Sequence, residues 1–357
     1  MKNSIITIVS GILLLSACRE NQKKEQREDI HGKAATEIVE EKNIDTLKAN
    51  FSIEILDNEA LQVIDPKANL EILASGFTWT EGPLWVEEGN YLLFSDIPNN
   101  KVYKLDNTLE PTTYLEPSGY TGEGTYGDEP GSNGLVLNKQ GELILLQHGD
   151  RSVAKMNAPL NNPKAEFRTL VDSYHGKKLN SPNDGFFDKA GNFYFTDPPY
   201  GLPLKMDDPH KELDFQGVFC LLHSGELVLV DSLSKPNGIA QSPDGSTLYV
   251  AVSDPLHAVW YQYDIEKPGK VSNKRVLYDV THLVGQQGEQ GLPDGLKTNS
   301  KGYLFATGPG GMWIFNSSAK VIARIHTGQL TSNCAFTTDE KRVFLTADDY
   351  ILAIDLL

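Results

Sequence analysis

Over most of the chain, apolar residues fall into short runs separated by turns rich in Gly, Asp or Asn, and residues 240–264 show the pattern most plainly. Ser242-Pro243-Asp244-Gly245 is a turn between two apolar runs, and residues 247–252 and 259–263 read as the strands that follow. Runs this short, bounded by turn residues, are strands and not helices. Comparable triplets occur at 83–86, 91–96 and 101–105, then at 135–137, 143–147 and 152–156. Another falls at 335–337, 343–346 and 350–356, and residues 193–196 supply a strand between. Each repeat is therefore a small antiparallel sheet.

Each sheet is introduced by a polar residue at the same phase of a recurring motif. The copies are Thr80-Glu81-Gly82-Pro83-Leu84, Ser132-Asn133-Gly134-Leu135, Pro182-Asn183-Asp184-Gly185, Pro236-Asn237-Gly238-Ile239 and Leu292-Pro293-Asp294-Gly295-Leu296, with a degenerate sixth, Ser332-Asn333-Cys334-Ala335. The key residues Glu81, Asn133, Asn183, Asn237, Asp294 and Asn333 are 52, 50, 54, 57 and 39 positions apart. A period near 50 residues is the signature of propeller blades, so the expected fold is an all-β, six-bladed β-propeller. One isolated Asn-Gly or Asp-Gly would do no more than end a strand. Six copies in phase, one carrying Glu, predict instead a ring of polar side chains around the mouth of the central channel.

Residues 70–73 look like a strand with no blade of their own, while the last repeat offers only three strands. Joining them completes the last blade and closes the ring through the N-terminal strand. Ahead of this domain, which spans 51–357, Lys2 and the apolar stretch 5–15 lead into Leu15-Ser16-Ala17-Cys18. The stretch is too short to span a bilayer and reads as a signal peptide, residues 1–18. Its last four residues resemble a bacterial lipobox, which makes Cys18 the lipidation site. Residues 19–50 are dominated by Glu, Lys, Gln and Asn, a composition that builds no packed core and predicts a disordered tether. The expected location is the bacterial cell envelope, periplasmic or facing out, with the membrane engaged through the N-terminal lipid alone.

Charge narrows the function. With Lys+Arg 32 against Asp+Glu 48, the net charge is −16, and a nucleic-acid partner is disfavoured. Cys220 and Cys334 lie in the third and sixth repeats and are expected as buried free thiols. Neither a Gly-x-Ser-x-Gly elbow nor a Rossmann or Walker fingerprint is found, which removes the common covalent-serine and nucleotide chemistries. The loop 119–131, rich in Gly, Tyr and acidic residues, enters the second motif and could line a pocket.

Blade three carries Leu179-Asn180-Ser181-Pro182-Asn183-Asp184-Gly185 and then Phe195-Thr196-Asp197-Pro198-Pro199-Tyr200-Gly201. Together with Glu81-Gly82-Pro83, Pro236-Asn237-Gly238 and Pro293-Asp294-Gly295, in this order and at these intervals, these residues resemble the regucalcin/gluconolactonase family, also called the senescence marker protein family. The resemblance runs from about residue 76 to the C-terminus. It implies a six-bladed propeller with one divalent cation at the channel mouth, and hydrolysis of sugar-acid lactones. The family's metal ligands match Glu81, Asn237 and Asp294, and its further Asn, which contacts substrate or a metal-bound water, matches Asn183.

Two carboxylates and two amide carbonyls make an all-oxygen set that suits a hard cation. Ca²⁺ is expected, with Mg²⁺, Mn²⁺ or Zn²⁺ as alternatives. Water attack on a lactone carbonyl needs charge stabilisation and a base; Asp294 is assigned as that catalytic base. Asn183, Asn133 and His148 are the candidate substrate contacts, and a small-molecule lactone is the expected partner. The animal branch of the family has a basic residue where Ser181 stands, which leaves the gluconolactone preference open. Two other readings remain at this stage: a metal-stabilised propeller that binds a carbohydrate or protein without turnover, and a hydrolase of another ester class.

Overall fold

Alternate residues of the apolar runs are buried on opposite faces, because each small sheet is packed between two others. Leu93 joins Leu135, Leu143 and Leu145 in one apolar cluster, while its neighbours Leu92 and Phe94 join Phe344 and Ile351 in another. Leu145 packs back towards the first repeat, and Ile144 and Leu146 pack forward onto Phe193, Phe195 and Phe219. Tyr194 then meets Ile239 and Val250 of the next repeat. Both faces of the second strand of a blade, such as Tyr91–Asp96 or Leu143–Gln147, are covered, so its run is dense in apolar residues. Burying each such Leu or Phe contributes roughly 2 kcal/mol.

The structure is a computed structural model that describes residues 50–357. The signal segment with Cys18 lies outside the described residues, as does the tether up to residue 49. Phe51–Leu357 forms one compact unit of six sheets arranged as a six-bladed β-propeller, with a two-stranded hairpin, Ser173–Tyr174 and Lys177–Lys178, beside them. Blade one comprises Thr80–Val86, Tyr91–Asp96, Lys101–Leu105 and Thr112–Leu115. Blade two comprises Ser132–Leu137, Leu143–Gln147, Ser152–Met156 and Phe167–Val171. Blade three is built from Gly185–Phe187, Phe193–Asp197, Gly217–Leu221 and Leu227–Ser232, and blade four from Pro236–Gln241, Thr247–Asp254, His257–Lys267 and Lys270–Asp279.

Blade five holds Leu296–Thr298, Leu304–Gly308, Gly311–Phe315 and Val321–His326. The three C-terminal strands of blade six, Thr331–Phe336, Arg342–Ala347 and Tyr350–Asp355, are completed by Glu71–Ser75, paired antiparallel to Tyr350–Asp355. Thr80 ties blade one to this last blade: its N–H donates to Asp348 O at 2.9 Å and its hydroxyl to Asp348 O at 3.0 Å. Ser332 Oγ donates back to Thr80 O at 2.7 Å. The ring is thus closed by the two ends of the domain.

One strand was not anticipated. Ser52–Ile55 adds a fifth strand to the outer edge of blade five, in register with Val321–His326. Its partner lies some 270 positions away, and four half-exposed residues give little local signal for such a pairing. Cys220 and Cys334 are both buried and free, in blades three and six.

Candidate functional site

In four of the blades the recurring motif is where the innermost strand breaks register, and in blades three and five it stands just before that strand. The ladder shifts between Glu81 and Leu84, between Ser132 and Leu135, between Pro236 and Ile239, and between Thr331 and Asn333. A bulge leaves its extra residue unpaired and re-aims the side chain. The glycine that follows is a steric requirement. At Gly82 (φ +53°) a Cβ would lie 2.1 Å from the Asn133 carbonyl oxygen, and at Gly238 one would lie 2.2 Å from that of Asp294. Gly82, Gly134, Gly238 and Gly295 therefore let their strands pass directly against the motif residue of the next blade.

Glu81, Asn133, Asn183, Asn237 and Asp294 are brought together on the wall of one cavity of about 440 Å³. All but the rim of this group is closed to solvent: Glu81 is 2 % exposed and Asn183 2 %. Glu81 Oε2 accepts the Gly82 N–H at 2.9 Å and the Asn333 amide at 3.2 Å. Asn333, the sixth ring position, thus supports Glu81. The Asn237 amide nitrogen donates to Ser253 Oγ at 3.0 Å, which leaves its carbonyl oxygen as the free end.

The cavity concentrates acceptors. Asn133 Oδ1, Asn183 Oδ1 and Asp294 Oδ1 are all buried without a hydrogen-bond partner among the described residues. Burial raises the Glu81 carboxyl to about 7, against the lowering effect of the Gly82 N–H, with the Asp184 charge adding to the rise. Asp294 is raised well above the usual carboxylate range, first by burial and then by the facing charges of Glu81 and Asp184. Buried acceptors left without donors, beside two carboxylates that resist ionising together, are what a divalent cation would satisfy. Among the described residues no group of three or more His, Cys, Asp or Glu is placed to hold a metal. The donor set here has two carboxylates completed by amide oxygens, and it fits a hard cation.

Below this layer Lys297 Nζ lies 3.2 Å from Asp184 Oδ2 and 3.3 Å from Asn333 Oδ1. Its contact with Asn333 Oδ1, together with that of the Cys334 N–H at 2.9 Å, turns the amide nitrogen of Asn333 towards Glu81. Asp197 is fully buried and accepts the Asn180 N–H at 2.8 Å. His148 is also fully buried, with Nδ1 3.4 Å from Glu129 Oε2; Glu129, not His148, lines the cavity. Ser181 donates to Pro198 O at 2.6 Å and accepts the Gly201 N–H at 2.9 Å, so it fixes the 198–201 turn.

Sequence reasoning missed Glu129, Lys205 and Tyr200 as cavity-lining residues. Glu129 belongs to the loop 119–131, whose composition had marked it as a pocket candidate. Lys205, 3.2 Å from Glu129 Oε1, comes from a loop with no periodic signal.

A six-bladed propeller with a confined carboxylate–amide ring at its channel mouth defines a class of small-molecule sites. Residues 79–348 match the family described as SMP-30/Gluconolactonase/LRE-like region, and the chain belongs to that family. It is 37 % identical over 297 residues to a gluconolactonase of Zymomonas mobilis, covering 82 % of each chain. A solved gluconolactonase of Xanthomonas campestris superimposes with a TM-score of 0.73 at 27 % identity, over 86 % of this chain and 95 % of that one. A calcium-binding regucalcin from Agrobacterium tumefaciens shares the fold, with a TM-score of 0.60 at 14 % identity over 80 % and 93 % of the two chains. The family is one of lactone hydrolases, and it includes calcium-binding members.

Proposed function

We propose that this chain is a divalent-cation-dependent lactonase that opens sugar-acid lactones by attack of water. The observation that carries the reading is the set of partnerless buried oxygens, Asn133 Oδ1, Asn183 Oδ1 and Asp294 Oδ1, sharing one cavity with Glu81 and Asn237. Glu81, Asn237, Asp294 and Asn183 would hold the cation, with Ca²⁺ best suited to four oxygen donors. When bound, the cation supplies the positive charge that polarises the lactone carbonyl.

The chain's own residues do the rest. Asp294 Oδ1 accepts a proton from the attacking water as the water oxygen bonds to the carbonyl carbon. When the ring C–O bond breaks, that proton passes to the ring oxygen, giving a hydroxyl and a carboxylic acid, whose remaining proton is released to solvent to leave the carboxylate. Asn183 and Asn133 orient the substrate through their amides, and His148 holds Glu129 against the wall. Cys18 anchors the domain in the cell envelope, a reading that rests on the lipobox-like Leu15-Ser16-Ala17-Cys18. Loss of radiolabelled palmitate incorporation in Cys18→Ala would support it.

The test is acid release from five- and six-membered aldonolactones by metal-stripped protein, with single divalent ions restored. Metal-restored turnover supports the reading. Tight cation binding with no turnover on any lactone would favour the binding-propeller alternative.

A further inference from the structure

The four under-satisfied polar groups in or at this cavity are not equivalent. Three of them, Asn133 Oδ1, Asn183 Oδ1 and Asp294 Oδ1, are acceptors, offered to the substrate, the cation and the attacking water. The fourth is the Tyr200 hydroxyl, buried on the cavity wall beside the Ser253 hydroxyl, with no acceptor for its own proton among the described residues. A phenol is a poor ligand for a hard cation but a good donor to oxygen. An ordinary phenol is protonated at neutral pH, so it is available there as a donor.

Its position is built, not incidental. The turn that carries it is clamped by Ser181, which bonds both Pro198 O and the Gly201 N–H. Gly201 itself packs on His148, where an added Cβ would stand 2.4 Å from the His148 Cβ. Ser253, beside Tyr200, already donates to Pro293 O and accepts from Asn237. Two lysines also line the cavity: Lys205 is engaged with Glu129, and Lys235 is the cationic donor that competes with Tyr200.

A lactone has two ester oxygens. The carbonyl oxygen is provided for by the cation, whereas the ring oxygen gains charge as the C–O bond breaks and finds mostly acceptors around it. We infer that Tyr200 is a catalytic residue that donates a hydrogen bond to the ring oxygen as it leaves. The proton finally carried by that oxygen still comes from Asp294, so the phenol is not consumed. The inference rests on the lactonase reading.

The test is Tyr200→Phe, which removes one oxygen and keeps the ring. Two substrates are compared: an aliphatic aldonolactone, whose leaving group is an alkoxide, and dihydrocoumarin, whose leaving group is a phenoxide that needs little help. Losing a hydrogen bond to a charged oxygen should lower kcat by about 10- to 100-fold on the aldonolactone. KM, the Ca²⁺ affinity by calorimetry and kcat on dihydrocoumarin should stay within a few-fold. Unchanged kcat on both substrates would overturn the inference and leave the hydroxyl as the holder of a buried water. Equal losses on both, with weakened Ca²⁺ binding, would overturn it in favour of a structural role. Wild-type protein inactive on both substrates defeats the lactonase reading itself, and this inference with it; wild-type activity with an unaffected variant defeats this inference alone.

Discussion

Asn333 donates its amide N–H to Glu81 Oε2 across 3.2 Å, although the two residues stand 252 positions apart. The contact joins the last repeat to the first, and the Cys334 N–H at 2.9 Å and the Lys297 ammonium at 3.3 Å both face Asn333 Oδ1, which fixes the amide nitrogen as the end that points at Glu81. Asn333 has no place in the cation's own donor set, yet it orients a member of it. Replacing such an outer partner weakens metal binding by roughly 10- to 100-fold. Asn333→Leu is therefore expected to lower Ca²⁺ affinity by about tenfold, read by calorimetry, with the blades still folded. Unaltered affinity would mean that Glu81 needs no such support.

Gly238 tests the steric account of the motif. A methyl group there would meet the Asp294 carbonyl oxygen at 2.2 Å, and the obstacle is backbone, which cannot swing aside. Gly238→Ala should cost about 3 kcal/mol, seen as a lower urea midpoint, because overpacking forces two inner strands apart. Gly225→Ala makes the control, since nothing lies within 4 Å of its added Cβ, although its φ of +91° imposes some backbone strain of its own.

The closure predicts unequal truncations. Removing residues 1–50 leaves every strand of the propeller paired, and the melting temperature should hold. Removing residues through Gly76 also deletes Ser52–Ile55 and Glu71–Ser75, and strips the partner from Tyr350–Asp355. A bare edge strand promotes aggregation. The longer truncation should be insoluble or melt far lower; comparable melts for the two would contradict the closure.

Asp197 gives a pH dependence with a definite sign. Burial, opposed by the Asn180 and Ser181 N–H groups, raises its carboxyl from 3.8 to about 7 in the folded chain. Between those values the native state holds a proton that the unfolded chain has released. Its stabilising contribution is full below about 4 and is lost as the pH rises through about 7. Urea midpoints measured from pH 5 to 8 in saturating Ca²⁺ should fall with pH, and Asp197→Asn should flatten that slope. A slope unchanged in the variant would assign it to other groups.

The ring was legible because its residues repeat in phase, and phase survives folding: Glu81, Asn133, Asn183, Asn237 and Asp294 needed only the period to be placed together. Strand limits such as Tyr91–Asp96 and Ser152–Met156 were legible for a related reason, since these strands are buried on both faces and their short apolar runs are bounded by turn residues. Tyr200, Glu129 and Lys205 come from loops, where no period reports direction. Lys297 follows its motif by three positions, and only the closed ring shows that its ammonium meets Asp184 of another blade. The edge strand Ser52–Ile55 depends on a distant partner, so local pattern could not supply it.

The most direct measurement is aldonolactone turnover by metal-stripped protein with Ca²⁺ restored, beside Asp294→Asn assayed for both activity and Ca²⁺ binding. The account predicts metal-dependent turnover in the wild type, and in the variant a loss of at least about 100-fold with Ca²⁺ still bound, because an oxygen donor remains while the base is gone. Turnover largely retained by Asp294→Asn, or a wild type that binds Ca²⁺ tightly and opens no lactone, would contradict it.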